Sequence, residues 1–177
     1  YRIDSRFREK VLLPGFVDPH LHPMMAAVLL PTTFITPEDW SLPSGEASGV
    51  RTQEAYRQRL RQLLSGDQSR EPFITWGYHQ LWHGALDRQI LDEIEPNRAV
   101  IVWHRSFHEI IMNTAAMKFL QLDNESVFAE IISSAGIDPS HANYAAGHLS
   151  ETALSIGLSR LRPVILAADH LNTGMGI

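Results

Sequence analysis

The sequence predicts an α/β protein in which strands and helices alternate along the chain. Short β-prone runs lie at 15–22, 73–76 and 99–103. Patterns of helical period at 52–66 and 87–94 separate these runs. Alternation of this kind favours right-handed crossover connections and a parallel sheet.

Composition limits the classes of function. The chain has 177 residues, of which 44% are apolar and 20% charged, as is ordinary for a globular protein with a substantial core. Its formal net charge is −5 with both signs mixed, so we expect no nucleic-acid or anionic-membrane partner. No run reaches the ~20 apolar residues that span a bilayer, and no signal peptide is recognisable. The cytoplasm is therefore the default expectation.

The first half of the chain carries the clearest elements. Residues 15–22 are interpreted as a buried strand, and the Pro-, Gly- and Ser-rich stretch 31–49 as an irregular excursion over the surface. Thr52 is suited to cap a helix that Gly66 ends. The apolar stripe of this helix consists of Tyr56, Leu60, Leu63 and Leu64. Between the strands 73–76 and 99–103, Asp87 caps a short helix that runs through Ile94.

The second half is predicted to be mainly helical. Asn113 caps a helix through Leu120, and a further apolar stripe ends at Gly136. Residues 138–147 are typical of a loop. Ser150 is suited to cap a helix through Leu161, after which Pro163 fits the first turn of another helix, although residues 164–168 are equally compatible with a strand.

Two histidines close the first predicted strand. On a strand, Asp18, His20 and His22 project to the same face, where the two imidazoles can bind one ion. Because the chain has no cysteine, His and carboxylate side chains must hold any metal. Taken alone, two alternating histidines are common, and the spacing leaves an ordinary polar strand end open as the alternative.

The surrounding residues resemble a known signature. Residues 11–22, Val-Leu-Leu-Pro-Gly-Phe-Val-Asp-Pro-His-Leu-His, closely resemble the first-strand signature of the amidohydrolase superfamily. Later blocks resemble amidohydrolase family 3, and Gly147-His-Leu-Ser-Glu-Thr-Ala does so less specifically. These blocks are Trp76-Gly-Tyr-His-Gln, Leu91-Asp-Glu-Ile-Glu-Pro-Asn-Arg-Ala-Val, His104-Arg-Ser-Phe-His-Glu and Asn113-Thr-Ala-Ala-Met.

The resemblance implies a fold and an activity. Residues 1–177 would form the first βα units of a TIM-type (β/α)₈ barrel with a long insertion after strand 1, at about 31–66. The implied reaction is hydrolysis of an amide-type C–N bond in a small molecule by a metal-activated water. His20 and His22 would hold a divalent metal, expected to be zinc. The family's lysine, two further histidines and aspartate cannot be assigned here, and the chain starts at Tyr1 rather than Met. We therefore expect a piece of a longer polypeptide, inactive by itself.

Other candidates stand beside more ordinary interpretations. The resemblance assigns His108 to substrate contact or proton handling, the alternative being a loop histidine bonded to backbone. Trp76 could wall a substrate pocket or pack in the core. Neither His79 with His83 nor His104 with His108 is expected to share a metal, since glycines bracket the first pair and a strand-to-loop turn lies within the second. His141 and His148 are interpreted as surface residues, and Glu151 as a first-turn helix residue without a catalytic role.

Two rival functions stay open. A truncated, non-catalytic partial barrel could act as a binding or assembly module, because unpaired strand edges need a partner. The same metal chemistry could instead cleave an ester or phosphoester. A homo-oligomer is compatible with the sequence.

Overall fold

The computed structural model describes residues 5–11, 13–15, 17 and 22–167. Within these residues the chain forms seven α-helices and eight strands. The strands are β1 (Thr33–Phe34), β2 (Trp40–Leu42), β3 (Gly45–Ala47), β4 (Phe73–Tyr78), β5 (Val100–His104), β6 (Glu109–Met112), β7 (Ala142–Asn143) and β8 (His148–Ser150). The helices are α1 (Pro23–Leu29), α2 (Gln53–Gly66), α3 (Gln80–His83), α4 (Arg88–Ile94), α5 (Thr114–Phe119), α6 (Glu125–Ser134) and α7 (Glu151–Ile165).

A mixed sheet organises the molecule, with strand order β1-β4-β5-β6-β8-β7. The strands β1, β4 and β5 run parallel, because α2 and then α3 with α4 supply the crossovers between them. The remaining pairings are antiparallel. The expected parallel sheet is therefore wrong beyond β5. Residues 105–108 between β5 and β6 are too few for a crossover, which takes about a dozen residues, so the chain turns back.

The two faces of the sheet carry separate apolar cores. Alternate residues of β5 divide between them: Ile101 and Trp103 pack with α5, α6 and α7, whereas Val100 and Val102 pack with α2 and α4. Every residue of β4 and β5 is buried, as expected for strands covered on both sides. In the described part of the chain, no helix has the length and apolar content required to cross a membrane. The α/β class is confirmed, and the partial barrel stays a prediction.

The helix caps predicted at Thr52, Asp87 and Asn113 are confirmed, whereas Ser150 precedes α7 without a side-chain capping bond and donates to the carbonyl of His141 instead. The hydroxyl of Thr52 accepts a hydrogen bond from the backbone N–H of Ala55, and α2 ends at Gly66 with Tyr56, Leu60 and Leu64 buried. Asp87 and Asn113 cap α4 and α5 through their side-chain oxygens. These elements form where local hydrogen bonding and the apolar stripe agree.

Three predictions for irregular or terminal segments are corrected. The stretch 31–49 is not wholly irregular, since it contains β1 and the hairpin β2–β3, both too short to show a period. The predicted loop 138–147 contains a 3₁₀ turn and β7. Pro163 lies inside α7 rather than starting a new helix. Residues 164 and 165 belong to α7, so the strand alternative for 164–168 is wrong at these two positions. The helix continues because Leu161 and Ile165 both bury against the sheet, which offsets the backbone hydrogen bond that proline removes.

The predicted buried strand at 15–22 is not seen at the positions that the structure describes. Gly15, Val17 and His22 lie outside any strand, and Val17 is 89% exposed. In the described sheet, β4 pairs with β1 on one side and with β5 on the other. Both edges of β4 are therefore occupied, and a further strand cannot pair with it. Asp18 and His20 lie outside the described residues.

Candidate functional site

Polar side chains gather at one edge of the sheet. The strands β4, β5 and β8 end there and β6 begins there, because β8 is antiparallel to β6 and so runs in the direction of β5. The carboxyl ends of parallel strands are the usual location of ligand sites in α/β proteins. The residues that converge at this carboxyl edge are His79, Gln80, His104, Ser106, His108, Glu109, His148 and Glu151.

His104 is the buried centre of the carboxyl edge. Its Nε2 lies 2.9 Å from Oε1 of Gln80, an oxygen that can only accept, so Nε2 carries the proton. Nδ1 then accepts hydrogen bonds from the hydroxyl and the backbone N–H of Ser106. Burial lowers the pKa of His104 below the usual range, against the opposing influence of Glu109. The ring is thus held neutral and in one tautomer.

Glu109 lies between two histidines. Its Oε2 accepts a hydrogen bond of 2.7 Å from Nε2 of His148, and its Oε1 lies 3.6 Å from Nδ1 of His104. The carboxylate is directly opposite Ser150 on β8 and one strand away from His104 on β5. His148 lies on β8 rather than in a loop, and with its side chain 30% exposed it is half-buried rather than fully at the surface. The pairing of β6 with β8, which the prediction of a surface residue did not include, partly withdraws it from solvent.

His79 and His83 serve the backbone. Nδ1 of His83 accepts from the backbone N–H of His79, and Nε2 of His83 donates to the carbonyl of Val50 at 2.8 Å. The buried ring stacks on Tyr56 with centroids 4.3 Å apart, and burial lowers its pKa. Nδ1 of His79 accepts from the backbone N–H of Leu81 and thereby caps α3. Both ring nitrogens of His83 are therefore occupied by backbone, which leaves none for a metal ion.

The structure places His108 at the carboxyl edge, as its position after β5 predicts. Its side chain is 64% exposed, and its Nδ1 lies 3.2 Å from Oε2 of Glu151. Contact of His108 with substrate stays a prediction.

Trp76 lies in the apolar core on the face of the sheet opposite to Tyr56. It is 6% exposed and packs against Phe34, Trp40 and Phe107, stacking on the last at 5.2 Å. Its Nε1 is buried and makes no hydrogen bond to the described residues. Because Trp40 is 38% exposed, this aromatic cluster reaches the surface through Trp40. A role for Trp76 in substrate binding stays a prediction.

The predicted metal ligands are not tested by the described geometry. His20 lies outside the described residues, and His22 is exposed at the position preceding α1. Among the residues that the structure describes, no three His, Asp or Glu side chains are close enough to hold a metal ion. The described residues therefore do not by themselves provide a metal site.

The sequence did not identify the partners of these histidines. Gln80, Glu109, His148 and Glu151 come from separate elements, and only the pairing of β5, β6 and β8 brings them together. One local signal existed: Glu109 directly precedes the apolar residues 110–112, and charged side chains are depleted on strands.

Comparison with known proteins yields a likeness of fold. No family model and no curated protein matches the sequence. Among solved structures, an uncharacterized metal-dependent hydrolase from Pyrococcus horikoshii OT3 matches 92% of this chain at 17% identity, with a TM-score of 0.60. An uncharacterized metal-dependent hydrolase from Pyrococcus furiosus matches 92% of this chain at 20% identity, with a TM-score of 0.58.

The match extends over only part of those proteins. The chain spans 28% of the length of each structure. The likeness shows that this chain has the fold of a portion of each. The narrower resemblance to amidohydrolase family 3 stays a prediction.

Proposed function

We propose that this chain is the first part of the catalytic barrel of a metal-dependent hydrolase acting on amide-type C–N bonds of a small molecule. The observation that carries the proposal is the likeness to two metal-dependent hydrolases over 92% of the chain. In this proposal His20 and His22 contribute half of a zinc site, and later parts of a longer polypeptide contribute the rest. The Pro-Gly-Phe-Val-Asp-Pro-His-Leu-His segment supports it independently of the fold.

The carboxyl edge fits the substrate side of such an enzyme. Catalytic groups of α/β proteins collect at the carboxyl ends of parallel strands, and here the polar side chains of β4, β5 and β8 do so. In contrast, a cavity of about 660 Å³ lies at the opposite edge, where Phe73 begins β4 and Arg98 precedes β5. We propose that His108, which is exposed at the carboxyl edge, contacts the substrate. Trp76 stacks on Phe107, the residue that precedes His108.

A hydrolysis assay tests the proposal. The protein encoded by the longest open reading frame that contains this sequence is purified. Its metal is removed with a chelator, and the protein is assayed with and without added zinc. The panel contains N-acyl amides, carboxylic esters and phosphoesters. We expect turnover of amides that disappears on stripping and returns with zinc. Turnover confined to esters or phosphoesters would move the proposal to another bond, and a folded, zinc-loaded protein with no turnover would favour the binding-module alternative.

A further inference from the structure

Two strained backbone positions meet at one histidine and one glutamate. Phe107, immediately before His108, has φ of 68°, and Glu151 has φ of 46°. A side chain beyond glycine rarely adopts this left-handed conformation, which persists only where surrounding contacts impose it. Of the three such residues in the described part of the chain, two therefore lie in this pair of turns. Strain of this kind concentrates at functional sites.

The strained turns hold the two side chains in register. The backbone N–H of Glu151 donates to the carbonyl of His108 at 2.8 Å, while the imidazole of His108 faces the Glu151 carboxylate at 3.2 Å. The backbone N–H of His108 donates in turn to the hydroxyl of Ser106. On the preceding residue, the Phe107 ring stacks on Trp76 and makes an edge contact with Trp103. His108 is thus anchored on its backbone and on one side of its ring.

The contact fixes the tautomer of the imidazole. A carboxylate is only an acceptor, so Nδ1 of His108 must carry a proton and donate the hydrogen bond to Glu151. Nε2 then carries the lone pair, and it makes no hydrogen bond to any residue that the structure describes. An oriented imidazole with an accessible lone pair is the arrangement of a general base whose partner carboxylate fixes its orientation.

We infer that Glu151 is a positioning residue that orients His108 as a proton-transfer group, with Nε2 directed toward a substrate or water at the carboxyl edge. This inference rests on the proposed hydrolase function for its use in catalysis, but not for the tautomer itself. The sequence predicts Glu151 to be a first-turn helix residue without a catalytic role, and the positioning role proposed here goes beyond that prediction.

Two further ionisable side chains of the described residues lie close to the pair. Glu109 follows His108 directly but turns toward His148 and His104 on the other face of the strand. His141, on the 3₁₀ turn packed against α7, contacts Thr152 at 3.0 Å. Neither side chain accepts a hydrogen bond from Nδ1 of His108. Glu151 is therefore the acceptor among the described residues.

The tautomer can be measured on the 177-residue chain. Long-range ¹H–¹⁵N spectra of histidine-labelled protein at about pH 8, where imidazoles are neutral, distinguish Nδ1–H from Nε2–H rings. We expect His108 to be Nδ1–H in the native protein and Nε2–H, the form that water favours, in Glu151→Leu. Glu151→Gln, whose amide oxygen still accepts, keeps Nδ1–H. Glu125→Leu, which removes the first-turn carboxylate of α6, is the matched control and leaves His108 unchanged.

Two results would overturn the inference. One is an Nε2–H ring in the native protein, which would make the pair an ordinary surface contact. The other is an Nδ1–H ring that survives in Glu151→Leu. Circular dichroism of each variant confirms that the fold is retained, so that a change of tautomer is not a symptom of unfolding.

Activity separates this inference from the function on which it rests. In the zinc-loaded polypeptide, Glu151→Leu should lower kcat by about 100-fold while KM and zinc content stay unchanged, and Glu151→Gln should recover part of the loss. Normal kcat in Glu151→Leu would refute the positioning role while leaving the hydrolase proposal standing. Absence of turnover in the native protein would refute the hydrolase proposal, and the tautomer would still decide whether Glu151 orients His108.

Discussion

The side-chain oxygen of Asn113 accepts a hydrogen bond from the backbone N–H of Val100 at 3.0 Å and so joins the cap of α5 to the start of β5. The same oxygen accepts from the N–H of Ala116 at 2.8 Å. Its amide nitrogen donates to the carbonyls of Glu95 and Arg98 at 2.7 and 2.8 Å. The side chain is fully buried, and the one residue satisfies four backbone groups, of which the N–H groups of Val100 and Ala116 are in buried hydrogen bonds.

Asn113→Ala should therefore be far more damaging than loss of a helix cap. Leaving buried backbone groups unpaired costs about 1–3 kcal/mol each, and we expect the free energy of unfolding to fall by about 3 kcal/mol or more. Urea denaturation measures the change. The matched control is Asn124→Ala, which removes the exposed cap of α6 and should lose about 1 kcal/mol. Equal losses at both positions would show that the Asn113 network adds nothing to capping.

Gly147 and Gly136 allow a second matched comparison. Both have left-handed backbone, with φ of 62° and 65°. A Cβ at Gly147 would collide with the backbone carbonyl oxygen of Met112, whereas a Cβ at Gly136 would meet open space. Gly136→Ala should lose about 1 kcal/mol, the ordinary cost of this conformation, and Gly147→Ala several times as much. Thermal unfolding monitored by circular dichroism provides the measurement, and a Gly147→Ala protein as stable as Gly136→Ala would contradict the close approach.

The strain at Glu151 predicts an inverted preference. Within a helix, alanine is normally more stable than glycine by about 1 kcal/mol. At φ of 46° the order should reverse, because glycine tolerates the left-handed region and alanine does not. Both substitutions remove the carboxylate, so their difference reports backbone strain alone. We expect Glu151→Gly to exceed Glu151→Ala in urea midpoint. The opposite order would mean that residue 151 is not held in this conformation.

Burial of two histidines predicts how stability depends on pH. Desolvation lowers the pKa values of His83 and His104, so each takes up a proton in the unfolded chain, near pH ~6.5, before it does so in the folded protein. The unfolded state therefore binds more protons below that pH. The contribution of the two neutral histidines to the free energy of unfolding is complete above pH ~6.5. It should decline on acidification toward the folded-state pKa values, at up to about 1.4 kcal/mol per pH unit for each histidine.

Urea titrations between pH 8 and pH 5 test this slope. His83→Gln and His104→Gln should each flatten it, because each removes one of the two groups. A flat native profile, or a slope that both variants retain in full, would contradict burial of the neutral rings.

The success of sequence reasoning depended on how local each signal was. Thr52, Asp87 and Asn113 cap their helices through bonds that reach three residues along the chain, so residue type and spacing were sufficient. The turn from β5 back into β6 was missed because β6 is only four residues long, which is too short to show a period. Where the parallel order failed, the length of the connection decided the topology.

The candidate site was less predictable for the same physical reason. His108 could be placed at the carboxyl edge because it follows a recognisable strand. Its partner Glu151 is 43 residues away, and Glu109 and His148 are 39 apart, so nothing short of strand pairing connects them. A carboxylate in the first turn of a helix has an ordinary electrostatic explanation, which offers no reason to expect the contact of Glu151 with His108.

Zinc content measures the central proposal most directly. The longest polypeptide that carries this sequence is purified in zinc, desalted and measured for metal per chain. It is compared with a His20→Ala/His22→Ala variant and with a His141→Ala control, which removes a half-buried histidine of the 3₁₀ turn. We expect stoichiometric zinc in the native protein and the control, and its loss from the double variant. Unchanged zinc in a folded double variant, or a folded native protein without zinc, would contradict the assignment of His20 and His22 as ligands.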